Sequence, residues 1–205
     1  MLVKTYGSAV YGIEATTIAI EVNISSGTKY FIVGLPDNSI KESFFRVESA
    51  IKTSGFHMPR QRIVVNLSPA DIRKEGSSYD LAIAIGIMAA SGQVSQTKLD
   101  QYLILGELSL DGGLQEIKGA LSIAIQAQAD GFKGLLMPAA NAREAAIVGD
   151  LEVYAISNIS EVVGFMNDKI SLERTIVDIQ EEFLSKINQY ESDFSDVKGQ
   201  ENIKR

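Results

Sequence analysis

Cysteine, tryptophan and histidine are nearly absent from this sequence, whose 205 residues include no Cys, no Trp and one His. The lack of cysteine excludes disulfide bonds and thiolate metal sites. Any Ser-His-Asp triad would have to use His57, which follows Gly55 and Phe56 in a predicted loop and has no carboxylate or cysteine cluster beside it. We therefore interpret His57 as a structural loop residue and expect no metal site.

Three longer patterns are also missing. There is no run of about 18 or more apolar residues, which a membrane-spanning helix would need. The N-terminus enters strand-like sequence directly, without the charged and then apolar layout of a signal peptide, so we expect a cytoplasmic protein with no membrane partner. The phosphate-binding pattern G-x-x-x-x-G-K-[ST] is absent as well, and the chain as given is not expected to hydrolyse ATP.

Acidic residues outnumber basic ones overall, with a formal net charge of −7, but one segment reverses this balance. Residues 41–74 carry seven basic residues against three acidic ones, a local net charge of +4. Arg60 and Arg62 lie two positions apart in a predicted strand and share a face, while Arg73 and Lys74 follow the end of that strand. We hypothesise that these four cations gather at one end of a sheet and contact DNA phosphates; the alternative is a solvated rim paired with neighbouring acids.

The first third of the chain is rich in strand patterns and contains one well-marked helix. Residues 1–35 alternate and are β-branched, which predicts a meander whose strands pair with their neighbours in sequence. Ser39 and Glu42 are spaced as a capping box at the start of a helix, and Gly55 is placed to end it. The next strand is predicted at Arg62–Leu67.

The remainder of the domain alternates helices and strands. A helix from about Tyr79 to Ala90, with Ser77 as its candidate cap, is apolar on every side and is predicted to be central and buried. Asp111-Gly112-Gly113 predicts a β-hairpin turn, and a helix follows near Ala120–Ala129. A βαβα series over residues 134–166 completes an α+β domain with an antiparallel N-terminal half and a more parallel C-terminal half.

The serines that precede the buried helix are the main candidates for chemistry. A serine at a helix N-terminus could act as a nucleophile, with the helix dipole assisting an oxyanion. Such a serine is more often a helix cap, which is our interpretation of the Gly76-Ser77-Ser78 run. A Ser-Lys dyad would need a lysine within hydrogen-bond reach, and Lys74 and Lys118 are the candidates by sequence.

The C-terminal segment differs in character from the rest. Residues 168–205 lack an apolar run of core quality, although Ile176, Ile179, Phe183 and Ile187 have the spacing of an amphipathic helix. We predict a partly helical linker arm that need not pack against the domain.

Several motifs, in order along the chain, resemble the N-terminal domain of the magnesium-chelatase-like competence ATPases, the ComM/YifB family. They are the run Val33–Asp37 followed by Ile40–Ser43, and the run Ile63–Asp71 continuing through Lys74–Gly76 to Tyr79–Leu81. The resemblance covers residues 1–167. The run Asp193–Gln200 resembles the opening of that family's AAA+ module, so the resemblance implies a domain at 1–167 and, at 168–205, an arm with the start of the module.

The resemblance implies a fold like the proteolytic domain of Lon protease. The run Gly106–Gly112 is similar to the hairpin that precedes Lon's catalytic lysine, and this alignment places Leu121 at the lysine position and Ser78 at the serine position. A serine hydroxyl without a base is a weak nucleophile, so the degenerate pair Ser78 and Leu121 implies a non-proteolytic domain. Lys118 is the nearest lysine to the aligned position.

For the whole protein, the resemblance implies a ring-forming ATPase, a hexamer, that promotes branch migration of DNA in recombination and natural transformation. ATP and magnesium would bind in the AAA+ module, and the partners of this non-enzymatic domain would be that module, the other ring subunits and DNA. Two alternatives remain open. One is a Lon-like serine peptidase, and the other is a magnesium-chelatase subunit of tetrapyrrole synthesis, for which one histidine and no cysteine supply few of the usual ligands.

Overall fold

The N-terminal sheet has four strands in the order β1-β2-β4-β3. The computed structural model describes residues 1–178, and in it these strands are β1 (Leu2–Tyr11), β2 (Glu14–Ser25), β3 (Tyr30–Val33) and β4 (Arg62–Ser68). β2 pairs antiparallel with both β1 and β4, whereas β3 pairs parallel with β4. The prediction of a meander is therefore wrong for β3, because helix α1 (Asn38–Thr53) crosses over between β3 and β4 and brings β4 back parallel to β3, between β3 and β2.

Helix α1 has the predicted face but a different start. Asp37 caps it, its Oδ1 accepting from the amide of Ile40 at 2.8 Å. The predicted capping box of Ser39 and Glu42 is wrong, since the helix begins at Asn38 and both residues lie inside it. The helix ends as predicted, with Gly55 in the left-handed region at φ +82°.

Helix α2 (Asp80–Ala90) is the centre of the larger core, and all of its residues are buried. It packs on β1 and β2: Thr5 Oγ1 donates to the carbonyl of Ala82 at 3.0 Å, and the missing side chain of Gly86 leaves room for Val22. The prediction from its uniform apolarity is confirmed. A helix with no polar face must be covered on all sides, here by the sheet, α1 and α5 (Ile159–Met166).

The C-terminal half contains a parallel sheet of three strands in the order β5-β8-β9 and a separate short hairpin. Their bounds are β5 (Tyr102–Ile104), β6 (Glu107–Leu108), β7 (Leu114–Gln115), α3 (Ala120–Ala129), β8 (Gly134–Pro138), α4 (Ala139–Ala145) and β9 (Glu152–Ile156). β5 joins the parallel sheet while β6 pairs with β7, so the strand-like run Tyr102–Leu110 before the predicted turn divides at Leu105 and Gly106. The α+β class and the parallel C-terminal half are confirmed; the N-terminal half is antiparallel except for β3.

The beginning of the predicted arm lies against the domain. Thr175 donates its amide to the carbonyl of Val153 at 2.8 Å, beside an antiparallel bridge between Arg174 and Tyr154. Val177 packs on the smaller core, to which β5, β8, β9, α3 and α4 contribute. We predicted an arm that need not pack against the domain, and its first residues, 168–178, do pack there. The rest of the predicted arm, including Phe183, Ile187 and the AAA+-like run, lies outside the described residues.

The docking of this segment makes a testable prediction. After correction for intrinsic exchange rates, the amide of Thr175 should exchange with solvent more slowly than that of exposed Ser171 by about tenfold or more, because a strand-like hydrogen bond must open first. Amide hydrogen exchange read by NMR measures the two rates. Equal rates at the two positions would contradict the packed segment and favour the unpacked arm.

Across residues 1–178, no helix is both long enough and apolar enough to cross a bilayer.

Candidate functional site

The loop before α2 opens onto a cleft of about 380 Å³, which we call the serine cleft. Its walls come from segments distant in the chain: the end of β1 (Ser8–Tyr11), loop residues 75–79, Glu107 of β6, and Glu116–Lys118 after β7. The packing of β1 and the β6-β7 hairpin beside the loop creates this cavity. The structure thus brings two candidate residues, Ser78 and Lys118, to one cleft.

Ser77 is held by the hairpin rather than by the helix. Its hydroxyl donates to the carboxylate of Glu107, a charge-assisted hydrogen bond. The N-cap of α2 is Tyr79, whose side chain makes no capping bond. The prediction that Ser77 caps the buried helix is therefore wrong.

Ser78 lies on the cleft, but the groups that would activate it are engaged elsewhere. The amides of Asp80 and Leu81 in the first turn of α2 donate to the carbonyls of Ser77 and Gly106, each at 3.1 Å. Those amides would be needed to stabilise an oxyanion at this helix end. Within residues 1–178, no side chain hydrogen-bonds to the Ser78 hydroxyl. The arrangement presents a serine without a base and with the helix end already satisfied.

Lys74 is buried, contrary to its predicted place in a DNA-contacting surface. Its residue is 0% exposed, and its Nζ donates to the carbonyl of Gly34 at 3.1 Å and to that of Pro69. Its backbone pairs with Leu35 and Asp37, and burial lowers the pKa of its ammonium. Lys74 therefore ties the loop before α2 to the end of β3, and it cannot reach a phosphate.

The other candidate cations lie at opposite ends of β4. Arg62 begins the strand and exposed Arg60 precedes it, whereas Arg73 follows its far end, after a strand of seven residues that spans about 20 Å. Arg73 pairs with Glu75 at 3.2 Å, both exposed. The prediction that four cations gather at one end of the sheet is wrong. DNA contact stays a prediction, and the geometry restricts it to the end that carries Arg60 and Arg62.

His57 lies in the loop after α1, away from the serine cleft. Its backbone amide and carbonyl both bond the side chain of Gln93, at 2.8 Å each. In the part of the chain that the structure describes, no group of three or more His, Asp or Glu side chains is arranged to hold a metal ion.

Comparison with known proteins identifies the family. Residues 20–141, more than half of the chain, match the sequence model of the family described as subunit ChlI of Mg-chelatase. The chain belongs to the ChlI family. It is 37% identical over its whole length to competence protein ComM of Haemophilus influenzae, and 39% identical over 96% of its length to uncharacterized protein YifB of Escherichia coli. These alignments cover 40% and 38% of the two relatives, so the chain spans about two fifths of their length. The predicted resemblance to the ComM/YifB family is confirmed.

A more distant similarity bears on the serine cleft of this ChlI-family chain. The chain is 24% identical to the peroxisomal Lon protease homolog 2 of Caenorhabditis elegans over an alignment of 175 positions. The alignment covers 78% of this chain and 22% of that protein. Leu121, which we predicted from the sequence to stand at Lon's lysine position, is half-buried in the first turn of α3, and its amide donates to Glu144 Oε1 at 3.0 Å. Lys118 lines the cleft but is exposed, without the apolar surroundings that activate a lysine as a base.

One ion pair behind the cleft was not anticipated from the sequence. Arg46 of α1 donates two hydrogen bonds to the carboxylate of Asp80, from Nε to Oδ2 at 2.6 Å and from a terminal nitrogen to Oδ1 at 3.0 Å. The amide of Leu108 also donates to Oδ2 at 3.3 Å. Burial raises the pKa of Asp80 to about 6, although Arg46 acts in the opposite direction. The available signal was an aspartate opening an otherwise apolar helix, which requires a buried partner.

Proposed function

We propose that this chain is the non-catalytic N-terminal part of a ring-forming AAA+ ATPase that acts on branched DNA in recombination and natural transformation. The observation that carries the proposal is a serine cleft in which no described side chain bonds Ser78, in a chain similar over its whole length to a protein named for competence. The chain spans about two fifths of that relative. The activity therefore belongs to the whole protein, and this domain contributes ring assembly, DNA contact or partner docking.

The non-catalytic role is supported by the state of each group that peptide hydrolysis would need. Among the described residues no side chain bonds the Ser78 hydroxyl, and the first amides of α2 bond to backbone carbonyls. The sequence resemblance places Leu121 at the lysine position. The Lon similarity supports a fold shared with that protease, and we propose that the dyad is lost in this chain. Covalent chemistry at the serine is accordingly absent from the proposed mechanism.

ATP and magnesium do not fit the residues of this chain. Its sequence has no glycine-rich loop with the lysine and serine or threonine that cradle phosphates, and its described acidic residues form no metal-binding group. We place both ligands in the AAA+ module of the whole protein. Its partners would be the other subunits of a hexameric ring and DNA, in the cytoplasm.

The family description names magnesium chelatase, which supplies the rival function of a tetrapyrrole-synthesis subunit. The match to competence protein ComM over the full chain favours the DNA function. Porphyrin-dependent stimulation of the whole protein's ATPase, with no effect of a DNA junction, would favour the chelatase function instead.

The serine cleft gives the direct test. In the whole protein, Ser78→Ala should leave ATP-dependent migration of a synthetic four-way junction within about twofold of wild type, because no covalent step uses the hydroxyl. The measurements are junction migration on a native gel, casein cleavage, and labelling by a fluorophosphonate probe. Neither casein cleavage nor labelling should occur with the wild-type protein.

Ser77→Ala is the matched control, since it removes the neighbouring hydroxyl on the same cleft. Probe labelling that persists in Ser77→Ala and vanishes in Ser78→Ala would establish a serine peptidase and contradict the proposal. A whole protein that hydrolyses ATP but does not migrate junctions would contradict the DNA function.

A further inference from the structure

The segment between the last turn of α1 and the start of β4 is basic in an acidic chain. Residues 52–62 include Lys52, Arg60 and Arg62 and no aspartate or glutamate, whereas the chain has a net charge of −7. Lys29 is brought to the same place, because its carbonyl accepts from the amide of Ile63 at 2.9 Å and so fixes it beside Arg62. One end of the N-terminal sheet therefore concentrates exposed positive charge.

This basic end contains a cleft of about 400 Å³ with aromatic walls, which we call the aromatic cleft. Tyr30 and Phe44 form one wall, with ring centroids 4.4 Å apart, and Phe56 and Met58 line it from the loop. The three rings pack against the larger core, and each remains partly exposed. They offer planar apolar surface at the protein boundary.

The charges around the aromatic cleft favour an anionic ligand. Arg60 lies on its rim, and among its described lining residues Glu48 is the one carboxylate, already bonded to Lys52 at 2.6 Å. Arg62 lies on the opposite face of the sheet from Tyr30, with its guanidinium 5.2 Å from the ring centroid of Phe31. A second cleft of about 540 Å³ on the other side of the 57–61 loop shares Arg60, and none of its described lining residues is acidic.

We propose that the aromatic cleft binds single-stranded nucleic acid. Single strands expose both phosphates and the faces of their bases, and proteins bind them by combining a cationic groove with aromatic rings on which bases stack. A duplex hides its base faces and could use the cations alone. The inference rests on the proposed DNA function and deepens it, since it assigns this domain a preference for single-stranded over duplex DNA and a binding site. A site for unpaired DNA on each subunit would let the ring hold the strands released at a moving junction.

The test measures fluorescence anisotropy of a labelled oligothymidylate of about 15 nucleotides with this 205-residue chain, at about 20 and 150 mM salt. Saturable binding tighter than about 1 mM at the lower salt is expected. Arg60→Glu should weaken it about tenfold and flatten the slope of log affinity against log salt by about 0.7 or more. Phe56→Leu should weaken it about fivefold and leave the slope unchanged, because it removes a stacking face but no charge.

Arg73→Glu is the matched control, an equal change of charge on an exposed arginine at the other end of β4. It should change the affinity less than about twofold, and a duplex of the same length should bind about fivefold more weakly than the single strand. Thermal denaturation of each variant establishes that it is folded. Absence of saturable binding, equal losses in Arg60→Glu and Arg73→Glu, an unaffected Phe56→Leu, or equal duplex affinity would each overturn the proposal.

The same variants in the whole protein separate this inference from the proposed function. Junction migration by a wild-type protein whose domain does not bind oligothymidylate overturns the inference and leaves the DNA function standing. If Arg60→Glu and Phe56→Leu bind DNA normally but prevent ring assembly, the aromatic cleft is a protein-docking surface and the inference is wrong.

Discussion

Arg46→Ala is expected to lower the free energy of unfolding by about 3–5 kcal/mol. Asp80 is 1% exposed, and its two short bonds to Arg46 are the only charge compensation that the described residues provide for it. Without the guanidinium, a carboxylate remains buried at the junction of α1, α2 and β6, where desolvation is not offset. Urea denaturation followed by circular dichroism at pH 7.5 measures the loss.

Lys52→Ala is the matched control on the same helix. It removes an ion pair with Glu48 whose side chains are 59% and 32% exposed, so it should cost less than about 0.5 kcal/mol. Adding Asp80→Asn to Arg46→Ala should recover part of the loss, because the amide carbonyl can still accept from Leu108 without a buried charge. No recovery would mean that lost packing of Arg46, not the stranded carboxylate, causes the effect.

The pH dependence of the Arg46→Ala loss follows from the direction of the Asp80 shift. The pKa of this carboxyl is about 6 in the native protein, and removing Arg46 raises it further. A native pKa above the unfolded value means that the native state takes up the proton first as the pH falls. The destabilisation should therefore be largest above pH 7 and shrink as the pH falls through 6 towards 4. Equal losses at pH 5 and pH 7.5 would be inconsistent with this origin.

Gly34→Ala should destabilise the protein by about 3–5 kcal/mol or prevent folding. Gly34 has φ +97°, and a Cβ there would lie 2.1 Å from the carbonyl oxygen of Leu67, an atom of the sheet backbone that cannot move aside. The change also disturbs the Gly34 carbonyl, which accepts from buried Lys74. Thermal and urea denaturation of the purified variant test the prediction.

Gly55→Ala provides the comparison, because Gly55 has a similar φ of +82° but nothing within 4 Å of the added Cβ. Its cost should be limited to the left-handed backbone penalty, about 1–2 kcal/mol. If the two variants lose the same stability, backbone conformation alone accounts for the effect and the close approach to Leu67 contributes nothing.

Much of the candidate site could be located from the sequence, but the hydrogen-bond partners of its residues could not be predicted. Ser78 and Lys118 were singled out from the sequence, and the structure places both on the serine cleft. The bond from Ser77 to Glu107 and the bond from the Leu81 amide to Gly106 join segments about 25 to 30 residues apart. No local pattern encodes such pairings, because they depend on how the β6-β7 hairpin packs against the loop.

Local sequence patterns determined the features that depend on the backbone preference or hydrophobicity of the residues themselves. Gly55 ends α1 because few other residues adopt its conformation cheaply, and the uniform apolarity of residues 81–90 requires burial on every side. Family motifs added the relation to ComM and YifB. Backbone preference and hydrophobicity decide these features, and both are properties of the residue type that do not depend on tertiary contacts.

Tertiary structure alone decided the parallel pairing of β3 with β4, the burial of Lys74 and the partner of Asp80. Pairing depends on which strand the α1 crossover returns to, and burial depends on what covers a side chain. Lys74 and Arg60 carry equal charge in the sequence, yet one holds two backbone carbonyls inside the protein and the other lies exposed on a cleft. The difference arises because the loop before α2 passes under the end of β3, a contact between residues about 40 positions apart.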